Sequence, residues 1–195
     1  MSIPKEPGFP LEEFEARQAR VRAAMEAREI DTLIVHSAPN IYYLCGHNSL
    51  NLWDYQCLVL PQDGRPFMVL WEFEGGRFEA SSAGAGVETF KTGADPVEAT
   101  KMALIKHGLV KGTIGIEIEG RYLSPLQYSE LLDALEGAVG QSSVHAAGVD
   151  FSSAPGSERS GTVNHRVTGD DLVVEEDDIA ALHFADHTMG ASLPV

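Results

Sequence analysis

The chain has 195 residues, a hydrophobic fraction of 44% and a net charge of −15 at pH 7, with a pI near 4.7. This length holds one ordinary domain, or one domain with a tail. The acidic balance excludes the basic surface that nucleic acids and anionic membranes require. No run of 18 apolar residues is present, and residues 1–10 lack the apolar core of a signal peptide. We therefore expect a cytoplasmic protein that binds neither nucleic acid nor membrane.

An amphipathic helix is predicted near the N-terminus, after a Pro-rich arm formed by residues 1–10. Over residues 12–29 the apolar side chains of Phe14, Val21 and Met25 fall on one face, and charged side chains occupy the others. We expect this helix to cover one face of a sheet.

Residues 30–63 carry the most information in the chain. The β-branched and apolar run 32–35 is typical of an interior strand that is covered on both faces. A short helix is predicted over 41–44. Ser37 is placed to cap it, Pro39 suits its first turn, and Gly46 ends it.

The rest of the chain up to residue 150 alternates strands with helices. We predict strands over 56–60, 66–71, 86–90, 113–117 and 142–146, and helices over 72–83, 95–107 and 124–135. The first two of these strands form a hairpin. The pattern predicts an α/β domain with a mixed sheet and helices on both faces.

Composition changes near residue 151, which we take as the boundary between a domain over 11–150 and an acidic, irregular tail over 151–195. The tail has eight acidic residues and two basic ones. Its first part, 151–169, is rich in small and polar residues and predicts loop or disorder. A short element is possible over 182–189.

Three tail residues have a spacing that can hold a metal. His183 and His187 are four residues apart, on one helical face, with Asp186 adjacent. A metalloprotease helix has Glu directly after the first His, and Phe184 stands there instead. Solvated tail residues are the favoured interpretation.

Two glutamates close a predicted strand. Glu117 and Glu119 flank Ile118 and point to one face, as a carboxylate pair for acid–base chemistry would. Because Arg121 is nearby, a surface ion pair is the favoured interpretation over catalysis.

Polar and aromatic residues on both sides of the short helix, most of them in the polar loop that follows it, are candidates for a binding site, because sites are often built on loops just past strand ends. They are His36, His47, Asn48, Asn51, Trp53, Asp54 and Tyr55. The alternative is that Trp53 and Tyr55 pack on the core or on a dimer partner. No phosphate-binding loop, nucleophile elbow or Cys/His dyad is identified. We expect Cys45, in a helix, and Cys57, in a strand, to be free thiols.

Two motifs resemble the N-terminal domain of the creatinase, prolidase and aminopeptidase P family. The helix is similar to that family's R-x-x-x-(V/L)-R-x-x-(M/L) pattern, and the following turn to P-N-I-x-Y-L-x-G. The matching residues are Arg17, Val21, Arg22, Met25, Pro39, Asn40, Ile41, Tyr43, Leu44 and Gly46. Residues 114–131 resemble the family's later strand, acidic end and helix, so the likeness spans about 11–150.

The resemblance implies a three-layer α/β domain with a mixed sheet, similar in layout to ribonuclease H and not catalytic by itself. The family's chemistry belongs to a C-terminal pita-bread domain, which usually holds two divalent metals (Mn, Co or Zn) through two Asp, one His and two Glu. Those ligands cannot be placed on this chain. We therefore expect no catalytic residue, metal ligand or cofactor here, and a truncated or split member whose tail comes from a shifted reading frame or a rearrangement.

The resemblance also implies a role in assembly. In the family this domain mainly builds the dimer and lends loop residues to the neighbouring subunit's active site. We expect a homodimer or a catalytic-domain partner, with His47, Asn51 and Trp53 as substrate-contacting walls. Two alternatives remain. One is a binding module that uses acidic residues 175–178 to hold a basic peptide or protein, and the other is a metalloenzyme that uses His183 and His187.

Overall fold

The computed structural model describes residues 8–49, 54–118, 122–139, 144–147 and 164–166. Strands and helices alternate along most of this length. The elements are α1 (Leu11–Glu26), β1 (Thr32–Val35), α2 (Ala38–Cys45), β2 (Cys57–Pro61), β3 (Phe67–Trp71), a 3₁₀ turn (Glu72–Glu74), α3 (Gly75–Ser81), β4 (Gly86–Phe90), α4 (Pro96–Lys106), β5 (Ile114–Ile116), α5 (Pro125–Val139), β6 (Val144–Ala147) and β7 (Asn164–Arg166).

The strands form one mixed sheet in the order β4-β3-β2-β1-β5-β6-β7. β1 lies near its centre, antiparallel to β2 and parallel to β5. β3 and β4 run parallel to each other, as do β5 and β6, while β2 and β7 are antiparallel to their neighbours. Because β1, β3, β4, β5 and β6 share one direction, their carboxyl ends meet at one edge of the sheet, which we call the carboxyl edge.

The sheet has a hydrophobic core on each face, because successive strand residues point to opposite sides. Leu33 and Val35 pack with helices α1 to α3, whereas Ile34 between them packs with α4 and α5. All of β1 is buried. The predicted three-layer architecture, with helices on both faces, is therefore confirmed.

Local signals in the sequence account for several boundaries. The side chain of Asp95 accepts hydrogen bonds from the backbone amides of Val97 and Glu98, and Pro96 occupies the first turn of α4. Gly46 follows α2 with a φ of +75°, the left-handed conformation that ends helices. The predicted apolar face is confirmed too, since Phe14, Val21 and Met25 of α1 are buried, although the charged Arg17, expected on another face, is buried as well.

One predicted irregular region contains a strand. Residues 151–169 were expected to be loop or disorder, and within them β7 pairs antiparallel with β6. Its sequence, Asn-His-Arg, lacks the apolar alternation that marks a strand, so pairing with a neighbour rather than local propensity defines it. The predicted short element over 182–189 lies outside the described residues.

The described end of the N-terminal arm packs on α1. The Phe9 ring meets that of Phe14 edge-on with 6.0 Å between centroids, and the Arg17 guanidinium lies 4.3 Å from the Phe9 centroid. Arg17 also stacks over Tyr43, so one buried cation joins the arm, α1 and α2.

Within the part of the chain that the structure describes, none of the helices combines the length and apolar character that a membrane span requires.

Candidate functional site

The carboxyl edge brings together residues from distant parts of the sequence. β1 and β5 lie side by side, with Ile34 paired to Ile116, so the residues that follow both strands are neighbours. These residues are His36 and Glu117. Open α/β sheets commonly bind ligands at this edge, which makes it the first place to look for a site.

Glu117 is buried, with 4% of its surface exposed, and its carboxylate accepts hydrogen bonds on both oxygens. Oε2 accepts from the backbone amides of His36 at 2.8 Å and Ser37 at 2.7 Å. Oε1 accepts from the side-chain amide of Asn40. A carboxylate at the N-terminus of α2 also interacts favourably with the helix dipole. These contacts tie β5 to the β1–α2 turn.

This geometry corrects two interpretations of the sequence. The side chain of Ser37 makes no capping hydrogen bond. Instead, the carboxylate of Glu117 accepts hydrogen bonds from backbone amides at the start of α2. Glu117 is buried, so it is not the surface acid that the sequence suggested, and its oxygens accept hydrogen bonds from three donors among the described residues. Glu119 and Arg121 lie outside the described residues.

His36 is buried beneath the carboxyl edge. Its Nδ1 lies 3.2 Å from the Gln56 carbonyl oxygen, a contact in which Nδ1–H donates, and its ring meets the Tyr55 ring edge-on at 5.2 Å. Burial lowers the pKa of His36 to about 4, and the hydrogen bond to Gln56 opposes this in part. His36 is therefore neutral at pH 7 and is a core residue rather than an exposed loop residue.

His47 directly follows the glycine that ends α2 and is 1% exposed. Its ring centroid lies 5.4 Å from that of Phe78 on α3. Burial lowers the pKa of His47 to about 4, the charge of Arg77 lowers it further, and the Gln56 side chain opposes the shift. Neither ring nitrogen of His47 has a hydrogen bond of standard geometry within the described part of the chain.

Of the loop residues predicted to line a pocket, only His47 is described, and Asn51 and Trp53 lie outside the described residues. The backbone amide of Asn48 donates to the Ser81 hydroxyl at 3.3 Å. Tyr55, at the other end of the loop, is buried, and its hydroxyl lies 2.9 Å from that of Thr100. The interpretation of Tyr55 as a core residue is therefore the correct one.

Sequence reasoning missed Gln56 and Asn40 as partners in this region. The carbonyl of Gln56 contacts His36, and its side chain faces His47, so it links the two buried histidines. Only the strand pairing of β1 with β2 makes this visible. Asn40 was recognised as part of a motif, but its partner Glu117 is 77 residues away along the chain.

The predicted tail site lies outside the described residues, because His183, Asp186 and His187 all follow residue 166. Among the residues that the structure describes, no group of three or more His, Cys, Asp or Glu side chains could hold a metal ion. The acidic segment 175–178, assigned to a basic partner in the alternative hypothesis, is also outside. Both ideas stay predictions.

Both cysteines are buried free thiols, as predicted, with Cys45 in α2 and Cys57 in β2. Burial raises the pKa of Cys45 to about 12 and that of Cys57 to about 11. Thiols with such pKa values are poor nucleophiles at neutral pH. Neither is suited to catalysis.

A cavity of about 610 Å³ lies at the opposite end of the sheet from the carboxyl edge. None of the candidates from the sequence lines it. Its walls are formed by Glu26, Glu29, Ile30, Asp31, Gln62, Asp63 and Thr113. Asp31 is engaged there as an acceptor for the Thr113 backbone amide at 2.7 Å.

Comparison with known proteins adds a family match. Residues 17–148 match the model of the creatinase/prolidase N-terminal domain, which is more than half of the chain.

Two curated relatives match parts of the chain. An ectoine hydrolase from Halomonas elongata is 26% identical over 144 residues, which are 65% of this chain and 34% of that protein. An uncharacterized hydrolase/peptidase from Sinorhizobium fredii is 39% identical over 55 residues, covering 28% of this chain and 14% of that protein. The chain thus spans 34% and 14% of the length of these two relatives.

Solved structures share the fold. The Creatine_N superfamily domain of a dipeptidase from Streptococcus thermophilus has a TM-score of 0.53 at 16% identity, covering 60% of this chain and 86% of that one. The N-terminal domain of an X-Pro dipeptidase from Streptococcus pyogenes has a TM-score of 0.52 at 18% identity, covering 65% and 90%. At these identities the likeness establishes the fold alone.

Proposed function

Because this chain belongs to the family of creatinase/prolidase N-terminal domains, we propose that it serves as the non-catalytic domain of a hydrolase of the creatinase and Xaa-Pro peptidase type. The family match over 17–148 is the observation that carries this proposal. The matched region of the ectoine hydrolase is about a third of that protein, which leaves the larger part for the chemistry.

The proposed role is to build a dimer, or to bind a catalytic-domain partner, and to support the partner's substrate pocket. His47, Asn51 and Trp53 are the residues that we assign to the wall of that pocket. The proximity of His47 to Gln56, which precedes β2 at the carboxyl edge, supports this, because ligands of α/β sheets commonly lie at that edge. The two ring nitrogens of His47 also have no hydrogen bond among the described residues, so this buried side chain has unused polar groups beside the loop.

The chemistry of Glu117 supports a non-catalytic role. A general base needs a carboxylate oxygen that can take a proton, and both oxygens of Glu117 accept hydrogen bonds from His36, Ser37 and Asn40. In the proposed assembly a divalent metal would be held by the catalytic domain, where it would supply Lewis-acid chemistry, and this chain would only shape the pocket.

The first test is metal content by elemental analysis of the purified chain, together with hydrolysis of Xaa-Pro dipeptides in the presence of added manganese, cobalt or zinc. We expect neither stoichiometric metal nor turnover. Stoichiometric metal with turnover would refute the non-catalytic role and would redirect attention to His183 and His187. Sedimentation of the same sample tests the expected homodimer.

A second test asks whether the chain supports catalysis by another domain. It is added to a hydrolase of this family whose own N-terminal domain has been deleted, and KM and kcat are measured for the native substrate. We expect activity to return. His47→Ala and Trp53→Ala in the added chain should raise KM, whereas His107→Ala, at the opposite end of the sheet, should not. Equal effects of all three substitutions on KM would show that the loop does not form part of the pocket wall.

A further inference from the structure

The hydrogen bonds of Glu117 hold one end of α2 from outside the helix. One carboxylate oxygen takes the amides of His36 and Ser37, and the other takes the side chain of Asn40, the third residue of α2. The first amides of a helix lack partners within the helix and must be satisfied from elsewhere. Here the partner comes from the end of β5, so the helix is fixed to the sheet at its N-terminus.

The other end of α2 is fixed by different elements. The carbonyl of Leu44 accepts from the Gln18 side chain of α1 at 2.9 Å, and that of Cys45 accepts from the backbone amide of Ala83 at 2.8 Å. Eight residues of α-helix span only about 12 Å. A helix this short moves as one body, so displacement of its first turn is transmitted to its last.

His47 depends on this helix for its position. It follows α2 after a single glycine, and neither of its ring nitrogens is held by a hydrogen bond among the described residues. Its ring packs against Phe78 of α3. Packing between neighbouring aromatic rings fixes a side chain only while the backbone on both sides stays in place.

We propose that Glu117, paired with Asn40, is a positioning residue that fixes helix α2 and, through it, the buried ring of His47. The inference rests on the proposed function, in which His47 belongs to the wall of a partner's pocket. It extends that function to a residue at the end of β5 that contacts no substrate. Glu117 is thereby part of the pocket's support although its chemistry is not catalytic.

The pair offers a test by exchange of donor and acceptor. Asn40→Asp places a carboxylate opposite that of Glu117, so that two acceptors face each other. Glu117→Gln removes the charged acceptor, and Asn40 can meet the introduced NH₂ only by turning its own amide so that the oxygen accepts. The double variant restores one donor and one acceptor, because the introduced amide donates to the introduced carboxylate while the amide oxygen still accepts from the backbone amides of His36 and Ser37. An acidic side chain is also favourable in the first turn of a helix.

The measurements are made on the isolated chain, with no substrate or partner present. Thermal unfolding measures stability. Amide exchange by NMR at Ala83 measures how often its hydrogen bond to the Cys45 carbonyl, at the C-terminus of α2, opens. Titration of the His47 ring resonance reports its burial, since its pKa is about 4 in the native protein against an ordinary value of 6.5. Glu98→Gln, which removes an equal charge from the exposed face of α4, is the matched control.

We expect Glu117→Gln to lower the melting temperature by roughly 4–10 °C, since it disturbs a buried hydrogen bond to a charged group. Exchange at Ala83 should accelerate about tenfold or more, and the pKa of His47 should rise towards 6.5. The double variant should recover most of each change, and the control should show none.

A double variant no more stable than Asn40→Asp, or one that fails to fold while Asn40→Asp folds, would overturn the proposal. So would a loss of stability in Glu117→Gln that leaves Ala83 and His47 unchanged, because the glutamate would then act only locally. These outcomes do not involve hydrolysis, so they are distinct from failure of the proposed function, which the metal and activity measurements test.

Discussion

The ring of Phe14 on α1 lies directly against Gly46, so that a Cβ at position 46 would come within 2.8 Å of the Phe14 Cζ atom. The same Cβ would lie 3.1 Å from the carbonyl oxygen of Ser81. Phe14 is fully buried. The close approach of α1, α2 and α3 beside His47 therefore depends on a residue without a side chain.

This contact predicts that Gly46→Ala destabilises the protein more than the backbone conformation alone would. The left-handed φ of +75° costs about 1 kcal/mol for alanine, and overpacking against Phe14 adds about 1–3 kcal/mol. Gly108→Ala is the control, because its φ is +71° and nothing lies within 4 Å of the added Cβ. Urea unfolding should show a loss of about 1 kcal/mol for the control. Equal losses at the two positions would contradict the close packing.

The two buried histidines predict a loss of stability in mild acid. Burial lowers the pKa of His36 and of His47 from 6.5 to about 4, so the unfolded chain binds protons more readily than the folded chain. Their contribution is fully present above pH 6.5 and is lost as the pH falls towards 4. Each accounts for on the order of 3 kcal/mol in free energy of unfolding. Urea titrations at about pH 7 and about pH 4.5 measure the difference.

Substitutions identify which residues carry this acid sensitivity. Between pH 6.5 and 4, the slope of unfolding free energy against pH gives the number of protons that the chain takes up on unfolding. His47→Gln should lower this number by up to one, whereas His107→Gln should leave most of it in place. His107 lies at the surface and contacts Glu88 at 2.9 Å. An unchanged slope in His47→Gln would show that the ring is not buried and neutral in the native state.

The hydroxyl oxygens of Tyr55 and Thr100 lie 2.9 Å apart in a buried position. This contact joins the segment that leads into β2 to helix α4. Tyr55→Phe should lower the free energy of unfolding by about 1 kcal/mol, and Thr100→Val should do likewise. The double variant should lose less than the sum of the two, because both changes remove one shared hydrogen bond. Chemical unfolding of the native protein, the two single variants and the double variant gives the four free energies of this double-mutant cycle. Strict additivity would show that the hydroxyls do not interact.

The buried cysteines should resist modification in the native protein. Burial raises the pKa of Cys45 to about 12 and that of Cys57 to about 11, so thiolate is scarce at neutral pH. A disulfide reagent such as Ellman's should label two thiols in denaturant and react more than about a hundredfold more slowly without it. Rapid labelling of one native cysteine would show that its helix or strand opens.

Much of the fold could be read from the sequence, because local patterns govern it. The period of apolar residues predicted α1, the β-branched run predicted β1, and Asp95 with Pro96 predicted the start of α4. Each signal acts over a few residues and needs no distant partner. β7 is the counterexample, since its three residues form a strand only through pairing with β6.

The roles of individual side chains could not be read in the same way. Ser37 had the ordinary chemistry of a helix cap, yet a carboxylate 80 residues away performs that task. Glu117 had the appearance of a surface or catalytic acid, and only the parallel pairing of β1 with β5 places it beneath α2. Tyr55 similarly finds its partner Thr100 through the packing of α4 on the sheet.

The sequence by itself determined the family, the layered α/β architecture and the course of most elements, because periodicity, turn residues and caps are encoded within a few neighbouring positions. Tertiary structure decided which polar groups are buried and with whom they pair. Burial and pairing arise from strands that lie far apart in the chain and meet in the sheet. That is why the sequence identified Glu117, His36 and His47 only as candidates. The fold showed that Glu117 holds the start of α2 and that the rings of His36 and His47 are buried and neutral.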